Sequence, residues 1–146
     1  MGDISKDIKS TFPSEFTKAL INIKYTANWL DSIGNSILNP YKISIQQYNI
    51  LRILRGAKEA ITVNAVKERM IQKSPNSTRL MDKLCDKKLI ERTRCESDRR
   101  VVYVQITDKG LQLLNKINIS EFDDYMRNIS EQEAKTINQI LDKIRH

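Results

Sequence analysis

The chain has 146 residues, of which 40% are hydrophobic and 29% are charged. This length and composition are typical of a single folded domain, or of one small domain with helical extensions, and they exclude a disordered chain. The formal net charge is +7, and its basic excess lies in residues 62–110, which carry 12 Lys or Arg against 7 Asp or Glu. Such a segment favours a polyanionic partner, although a basic face that serves only solubility stays an alternative.

Residue types that carry enzyme chemistry are scarce. The single histidine is His146, and the two cysteines, Cys85 and Cys95, are too few for a disulfide framework or a metal site. We find no glycine-rich phosphate loop and no paired-carboxylate motif. No apolar run approaches the roughly 18 residues of a membrane span, and no signal peptide is visible. We therefore expect a cytoplasmic protein that is not an enzyme, has no cofactor or metal and does not act at a membrane.

A long amphipathic helix is predicted over residues 14–37, where apolar side chains recur every three or four positions. Ser14 is a weak N-cap for it. Asn39-Pro40 is a firm end, because the residue before a proline is pushed out of the helical region.

Three shorter helices are predicted next. Ser44–Gln47 has the pattern of a capping box, which indicates a helix from there to about Gly56. Thr62 is a suitable N-cap for a short third helix. Ser74-Pro75 predicts the start of a fourth, with the serine as N-cap and the proline where its missing N–H is harmless.

The fourth predicted helix has an apolar and a polar face. Its spacing turns Leu80, Met81 and Leu84 inward. The same spacing leaves small polar and basic side chains outside, namely Asn76, Ser77, Arg79 and Lys83.

Two short strands are predicted at residues 90–94 and 100–106, joined by a charged hairpin tip, residues 96–100. Thr107 caps a fifth helix, and Ser130 begins a capping box for the last one. Helix, turn, helix and a hairpin with a basic tip form the pattern of a winged helix-turn-helix. The predicted fold class is therefore mainly α (α+β).

Two parts of this fold are suited to double-stranded DNA. The first turn of the fourth helix presents free backbone N–H groups, which favour phosphate oxygens, beside side chains that hydrogen-bond base edges. The hairpin tip would bring arginines to a minor groove, with Asp98 orienting one of them by an ion pair. The predicted DNA-binding residues are Ser74, Asn76, Ser77, Thr78, Arg79, Lys83, Ser97, Asp98, Arg99 and Arg100.

The stretch RLMDKLCDKKLIERTRCESDRRVVYVQITDKG resembles the MarR family of bacterial transcriptional regulators. It has the family's L-x-x-x-x-L-I-x-R run, a D-x-R at Asp98 and Arg100, and a T-x-x-G helix start at Thr107 and Gly110. The resemblance extends over about residues 14 to 146.

This resemblance implies a homodimer, with residues 1–146 as one MarR-like chain. Residues 14–37 and 111–146 would form the dimerisation region, and residues 44–110 the DNA-binding winged helix. Members usually repress transcription from a pseudo-palindromic operator, and many release DNA when a small molecule or an oxidant acts on them. The implied partners are double-stranded DNA, a second copy of the chain and a small-molecule effector.

The sequence is compatible with more than one kind of regulatory signal. Tyr25, Trp29 and Tyr48 could line an aromatic effector pocket, although helical core positions explain them as well. Cys85 and Cys95 have basic neighbours that lower a thiol pKa, so a thiol-based redox regulator is one alternative. A winged-helix module that binds proteins instead of DNA is the other.

Lys88 departs from the family pattern, which commonly has glycine after the fourth helix. If the backbone there is left-handed, lysine costs about 1 kcal/mol relative to glycine. We expect mild strain or an altered helix end at this position.

Overall fold

The structure is a computed structural model that describes residues 2–73, 75–117 and 120–146. Its helices and strands, in chain order, are α1 (Ile4–Asp7), α2 (Glu15–Leu38), α3 (Ile45–Ala57), β1 (Ile61–Thr62), α4 (Val63–Arg69), α5 (Ser77–Asp86), β2 (Ile90–Arg94), β3 (Val102–Ile106), α6 (Asp108–Lys116), α7 (Ser120–Asp123) and α8 (Glu131–Arg145). Short 3-10 turns follow α2 at Asn39–Tyr41 and α7 at Asp124–Met126. The chain divides into two compact units between Leu114 and Asn115. Within the described ranges, no helix is long and apolar enough to cross a membrane.

Side-chain caps begin most of the predicted helices. Ser14 caps α2, and Thr62 caps α4. Ser44 and Gln47 form the reciprocal capping box of α3, and Ser130 begins a second such box at α8. Each cap pairs a backbone N–H that the first turn of a helix leaves without an intrahelical partner. These predicted helix starts are confirmed.

The predicted start of the fourth helix is wrong. α5 begins at Ser77, with Asn76 as its N-cap residue, and Pro75 lies in the turn before it. Ser74, the predicted N-cap, lies outside the described residues. Proline fixes a backbone angle that suits the first turn of a helix and also a tight turn, so the Ser-Pro pair indicates both.

The sheet has three antiparallel strands in the order β1-β3-β2. The hairpin register places Ile90 opposite Ile106. β3 begins at Val102 rather than at residue 100, because the Val101 N–H donates to the Asp98 carbonyl within the turn at 3.0 Å. The two-residue strand β1 was not predicted, since it is too short to show an alternating pattern.

The core of the N-terminal unit is aliphatic. Its almost inaccessible side chains are Leu38, Ile50, Leu51, Leu54, Val66, Met81, Leu84, Ile90 and Val104. Burial of each such side chain is worth about 1.5–3 kcal/mol relative to exposure. Met81 and Leu84 therefore anchor α5 as predicted, whereas Leu80 is only half-buried.

Helix α5 ends in a Schellman motif. The Leu89 N–H donates to the Leu84 carbonyl at 3.0 Å, and the Lys88 N–H donates to the Cys85 carbonyl at 2.8 Å. Lys88 has a φ of 58°, so the left-handed conformation expected at this position is present with a lysine in it. All the described residues with clearly positive φ are lysines, namely Lys9, Lys42, Lys58 and Lys88.

Candidate nucleic-acid interface

The polar face of α5 carries most of the predicted base-contacting residues. Those that are exposed there, or just before the helix, are Asn76, Thr78, Arg79 and Lys83. Ser77 is 2% exposed, so its predicted outward position is wrong. Positions 77, 81 and 84 share one helix face, and Met81 and Leu84 turn that face into the core.

Asp98 organises the hairpin tip. Its Oδ1 accepts a hydrogen bond from the Arg100 backbone N–H at 3.0 Å and lies 3.8 Å from the Arg100 Nε. The Arg100 side chain is 95% exposed. The ion pair predicted between Asp98 and an arginine is thus present, and Arg100 is that arginine. A pair this exposed adds little stability, and its 3.8 Å separation is beyond hydrogen-bond distance. The part of Arg100 that Asp98 holds by a hydrogen bond is its backbone N–H.

Ser97 and Arg99 are also exposed at the hairpin tip. The tip therefore displays two arginines and one hydroxyl within five residues, and the Asp98 carboxylate contacts one of the arginines, Arg100. This arrangement presents hydrogen-bond donors that suit phosphate oxygens or the acceptors of a minor groove.

A cleft of about 290 Å³ separates the start of α5 from the hairpin. Thr78 lines it from α5 and Arg100 from the hairpin tip, and Arg92 of β2 lines it as well. We call it the helix–hairpin cleft. It brings one predicted base-contacting residue and one predicted tip arginine to the same surface.

Among the residues that line the helix–hairpin cleft but were not predicted as DNA contacts, one carries an amide and one a guanidinium group. Asn64, in the first turn of α4, and Arg92, in β2, both line it. Arg92 is part of the L-I-x-R run, which was used only to recognise the family pattern. Asn64 gives no sequence signal of its own, because its approach to the hairpin depends on the pairing of β1 with β3.

The pKa values of the two cysteine thiols are shifted in opposite directions. Cys95 Sγ lies 3.1 Å from Ser97 Oγ, and hydrogen bonding from Ser97 lowers the pKa of the Cys95 thiol. Burial raises the pKa of the Cys85 thiol and outweighs the lowering by the nearby Arg92, so the lowered pKa expected from basic neighbours is wrong for Cys85. Within the part of the chain that the structure describes, no group of three or more His, Cys, Asp or Glu side chains could hold a metal ion.

The three predicted effector residues differ in burial. Tyr48 is 5% exposed, and the Arg52 guanidinium lies 5.9 Å from the centre of its ring. Tyr25 and Trp29 are 42% and 46% exposed, four residues apart on one face of α2. Tyr48 is therefore a core residue, and the effector pocket stays a prediction.

The sequence is similar to those of known transcriptional regulators. A family profile described as "Transcriptional regulator SarA/Rot" matches residues 32–117. The HTH-type transcriptional regulator PecS of Dickeya dadantii is 27% identical over 120 residues, which cover 79% of this chain and 72% of PecS. The HTH-type transcriptional regulator MhqR of Bacillus subtilis is 26% identical over 113 residues, which cover 75% of this chain and 77% of MhqR.

Solved structures of other transcriptional regulators have the same fold. A MarR transcription factor from Planctomyces limnophilus is 30% identical with a TM-score of 0.68, covering 92% of this chain and 98% of its own. A MarR mutant from E. coli in complex with operator DNA is 24% identical with a TM-score of 0.80, covering 92% and 99%. The S. aureus MepR–DNA complex is 20% identical with a TM-score of 0.77, covering 92% and 97%. The last two, at under 25% identity, show the fold alone.

Proposed function

We propose that this chain, which belongs to the MarR family of transcriptional regulators, is a homodimeric repressor of a pseudo-palindromic operator. As a member of that family it is a DNA-binding transcriptional regulator and not an enzyme. Beyond this, we propose that the chain forms a dimer, that the residues assigned below contact DNA, that binding represses transcription and that a ligand regulates it.

One observation carries the proposal, namely that the start of α5 and the hairpin tip border the same helix–hairpin cleft. A helix whose first turn enters a major groove would place Arg100 beside the adjacent minor groove. The MarR and MepR structures of the same fold were solved with DNA, which supports this docking for a winged helix of this shape.

We assign the contacts by chemistry. Asn76, Thr78 and Arg79 would contact base edges, since amides, hydroxyls and guanidinium groups match the donors and acceptors of the major groove. The proposed phosphate and minor-groove contacts are Lys83, Ser97, Arg99 and Arg100, with Asp98 orienting Arg100. Ser77 is withdrawn from the set because it is buried. The excess of basic residues in 62–110 would supply most of the affinity by releasing counterions from DNA.

A second copy of the chain would cover two apolar stripes. Besides Tyr25 and Trp29, the exposed large apolar residues of α2 are Phe16, Leu20, Ile23 and Leu30, which are 38% to 90% accessible. Those of α8 are Ile137, Ile140 and Ile144, which are 42% to 63% accessible. Apolar side chains aligned along a helix and left in water are typical of a protein interface. A two-fold dimer would then read two half-sites about 10 base pairs apart, one helical turn of DNA.

Repression would follow from occupancy, because a dimer bound across a promoter excludes RNA polymerase. We further propose that a small aromatic molecule regulates this occupancy through α2, where Tyr25 and Trp29 expose their rings on one face. Such a ligand acts only if it binds the DNA-free conformation more tightly than the DNA-bound one.

The test is selection of duplexes from a random pool by the purified protein, followed by fluorescence anisotropy with the selected duplex and a scrambled one. We expect an inverted repeat, bound about a thousandfold or more tighter than the scrambled duplex. Equal affinity for the two duplexes would contradict sequence-specific binding. Deletion of the gene should raise the transcript that carries the selected sequence upstream, and a fall would contradict repression.

A further inference from the structure

Arg92 of β2 contacts helix α5 at two points. Its Nη1 lies 2.5 Å from Asp82 Oδ1, and its Nη2 donates to the Thr78 carbonyl oxygen at 3.3 Å. Thr78 and Asp82 are one helical turn apart and lie on the same side of α5. One side chain therefore connects the strand that leads into the hairpin tip to the first two turns of the helix.

Arginine is suited to this connection. Its planar guanidinium carries five N–H donors in a fixed fork, so it can reach a carboxylate and a carbonyl oxygen at once. The Arg92 side chain is 29% exposed and that of Asp82 is 52% exposed. The contact is thus partly shielded from water, unlike the Asp98–Arg100 pair at the hairpin tip, whose arginine is 95% exposed.

Without a partner, the negative charge of Asp82 would be unfavourable for DNA binding. A carboxylate on a helix that approaches phosphates opposes binding by charge repulsion. Its side chain is instead paired with Arg92, which also lines the helix–hairpin cleft together with Thr78 and Arg100. Arg92 therefore belongs both to this ion pair and to the cleft that Thr78 and Arg100 also line.

We infer that Arg92 is a positioning residue for DNA recognition, which holds the first turn of α5 and the hairpin at a fixed separation through Asp82 and the Thr78 carbonyl. This inference rests on the proposed function. If the helix and hairpin moved independently, each binding event would have to order them, and the apparent affinity would fall. A preformed separation removes that loss for an operator whose grooves match it.

Asp82→Ala distinguishes positioning from simple electrostatics, because the two explanations predict opposite changes in affinity for the selected duplex. Removal of a negative charge from α5 should strengthen DNA binding if charge alone matters. If Arg92 positions the helix, affinity for the selected duplex should fall about tenfold, which corresponds to 1.4 kcal/mol. Affinity for the scrambled duplex should be unchanged or higher, because that binding depends on net charge.

Asp86→Ala is the matched control. Asp86 is on the same helix, one turn further on, and lines the same cavity of about 650 Å³ as Asp82 and Arg92. In the part of the chain that the structure describes, the ion pair of Arg92 is with Asp82 and not with Asp86. We expect Asp86→Ala to leave the preference for the selected duplex intact.

Arg92→Gln should reduce the preference for the selected duplex like Asp82→Ala, and the double variant should lose no more than either alone. The slope of log K against log salt should stay that of the wild type, since Arg92 itself touches no phosphate. A slope reduced by about one unit, together with tighter binding by Asp82→Ala, would make Arg92 a phosphate ligand and overturn the inference.

Hydrogen exchange of the DNA-free chain gives a readout that does not depend on the proposed function. Exchange of the backbone amides in residues 77–94 should rise in Asp82→Ala and not in Asp86→Ala. Unchanged exchange in both variants would overturn the inference. If circular dichroism shows that Asp82→Ala does not fold, Asp82→Asn keeps the side-chain shape and is read in the same way. A wild type that cannot distinguish the two duplexes would instead contradict the proposed function.

Discussion

The carbonyl oxygen of Leu89 occupies the space that a β-carbon on Gly110 would need. It lies 2.3 Å from the ideal Cβ position, and Ile106 Cγ1 lies 2.6 Å from it. The Leu89 carbonyl is held in place, because it accepts a hydrogen bond from the Thr107 N–H at 3.1 Å. The glycine of the T-x-x-G pattern is therefore required by the close approach of α6 to the connection between α5 and β2.

Gly110→Ala should destabilise the fold by about 1–3 kcal/mol, because backbone atoms must shift to admit the methyl group. Gly56→Ala is the matched control: nothing lies within 4 Å of its ideal Cβ. In α3 that change should stabilise by up to about 1 kcal/mol, since alanine is the better helix former. Urea unfolding measures both, and equal midpoints would contradict the steric account.

Lys88→Gly should raise the free energy of unfolding by about 1 kcal/mol, because glycine adopts the left-handed conformation without strain. Lys87→Gly, one residue earlier at a φ of −80°, replaces a lysine at an ordinary backbone position and also removes the hydrogen bond from Lys87 Nζ to the Lys42 carbonyl, so it should destabilise. Thermal or urea unfolding of the two variants provides the comparison. Stabilisation by Lys87→Gly, or none by Lys88→Gly, would show that left-handed strain is not the cause.

Arg100→Ala should weaken binding to the selected duplex and reduce the slope of log K against log salt by about one unit. The physical reason is the loss of one cation that releases a counterion from DNA. Lys135→Ala removes a positive charge from the exposed polar face of α8 and should leave the slope unchanged. Anisotropy titrations over a series of salt concentrations measure it. An unchanged slope in a folded Arg100→Ala protein would remove the hairpin tip from the interface.

Ile140→Glu should convert the protein to single chains and abolish operator binding, because it places a charge in the apolar stripe that a second copy would cover. Gln139→Glu adds the same charge to the preceding residue, on the polar side of α8, and should remain a dimer. Sedimentation velocity distinguishes the two. A dimer that survives Ile140→Glu would mean that this stripe is not at the interface.

Alkylation by iodoacetamide as a function of pH should reach half its maximal rate at a lower pH for Cys95 than for Cys85. The thiolate is the reactive form, the Ser97 hydrogen bond lowers the pKa of Cys95, and burial raises the pKa of Cys85. Ser97→Ala should move the Cys95 midpoint up and leave that of Cys85 in place. The reverse order of midpoints would contradict this assignment. Release of DNA by peroxide, lost in Cys95→Ser, would favour the redox alternative.

Local signals explain what could be predicted from the sequence. Ser44 with Gln47 and Ser130 with Glu133 are complete capping boxes within four residues, so their helices begin where predicted. Strand β2 also has its predicted bounds, because the hairpin is local.

Non-local packing explains what could not. The burial of Ser77 depends on which side of α5 faces the core, and a prediction that started the helix at Pro75 did not find it. The contact of Arg92 with Asp82 joins residues ten positions apart on a strand and a helix. No periodicity within either element indicates such a contact, so it required the structure.

The mass of the complex between the protein and its selected duplex tests the central claim most directly. Native mass spectrometry or sedimentation at micromolar concentration should give the duplex plus two chains of 17.0 kDa each. A duplex saturated by a single chain, or a protein that stays single with and without DNA, would contradict a dimer that reads two half-sites together.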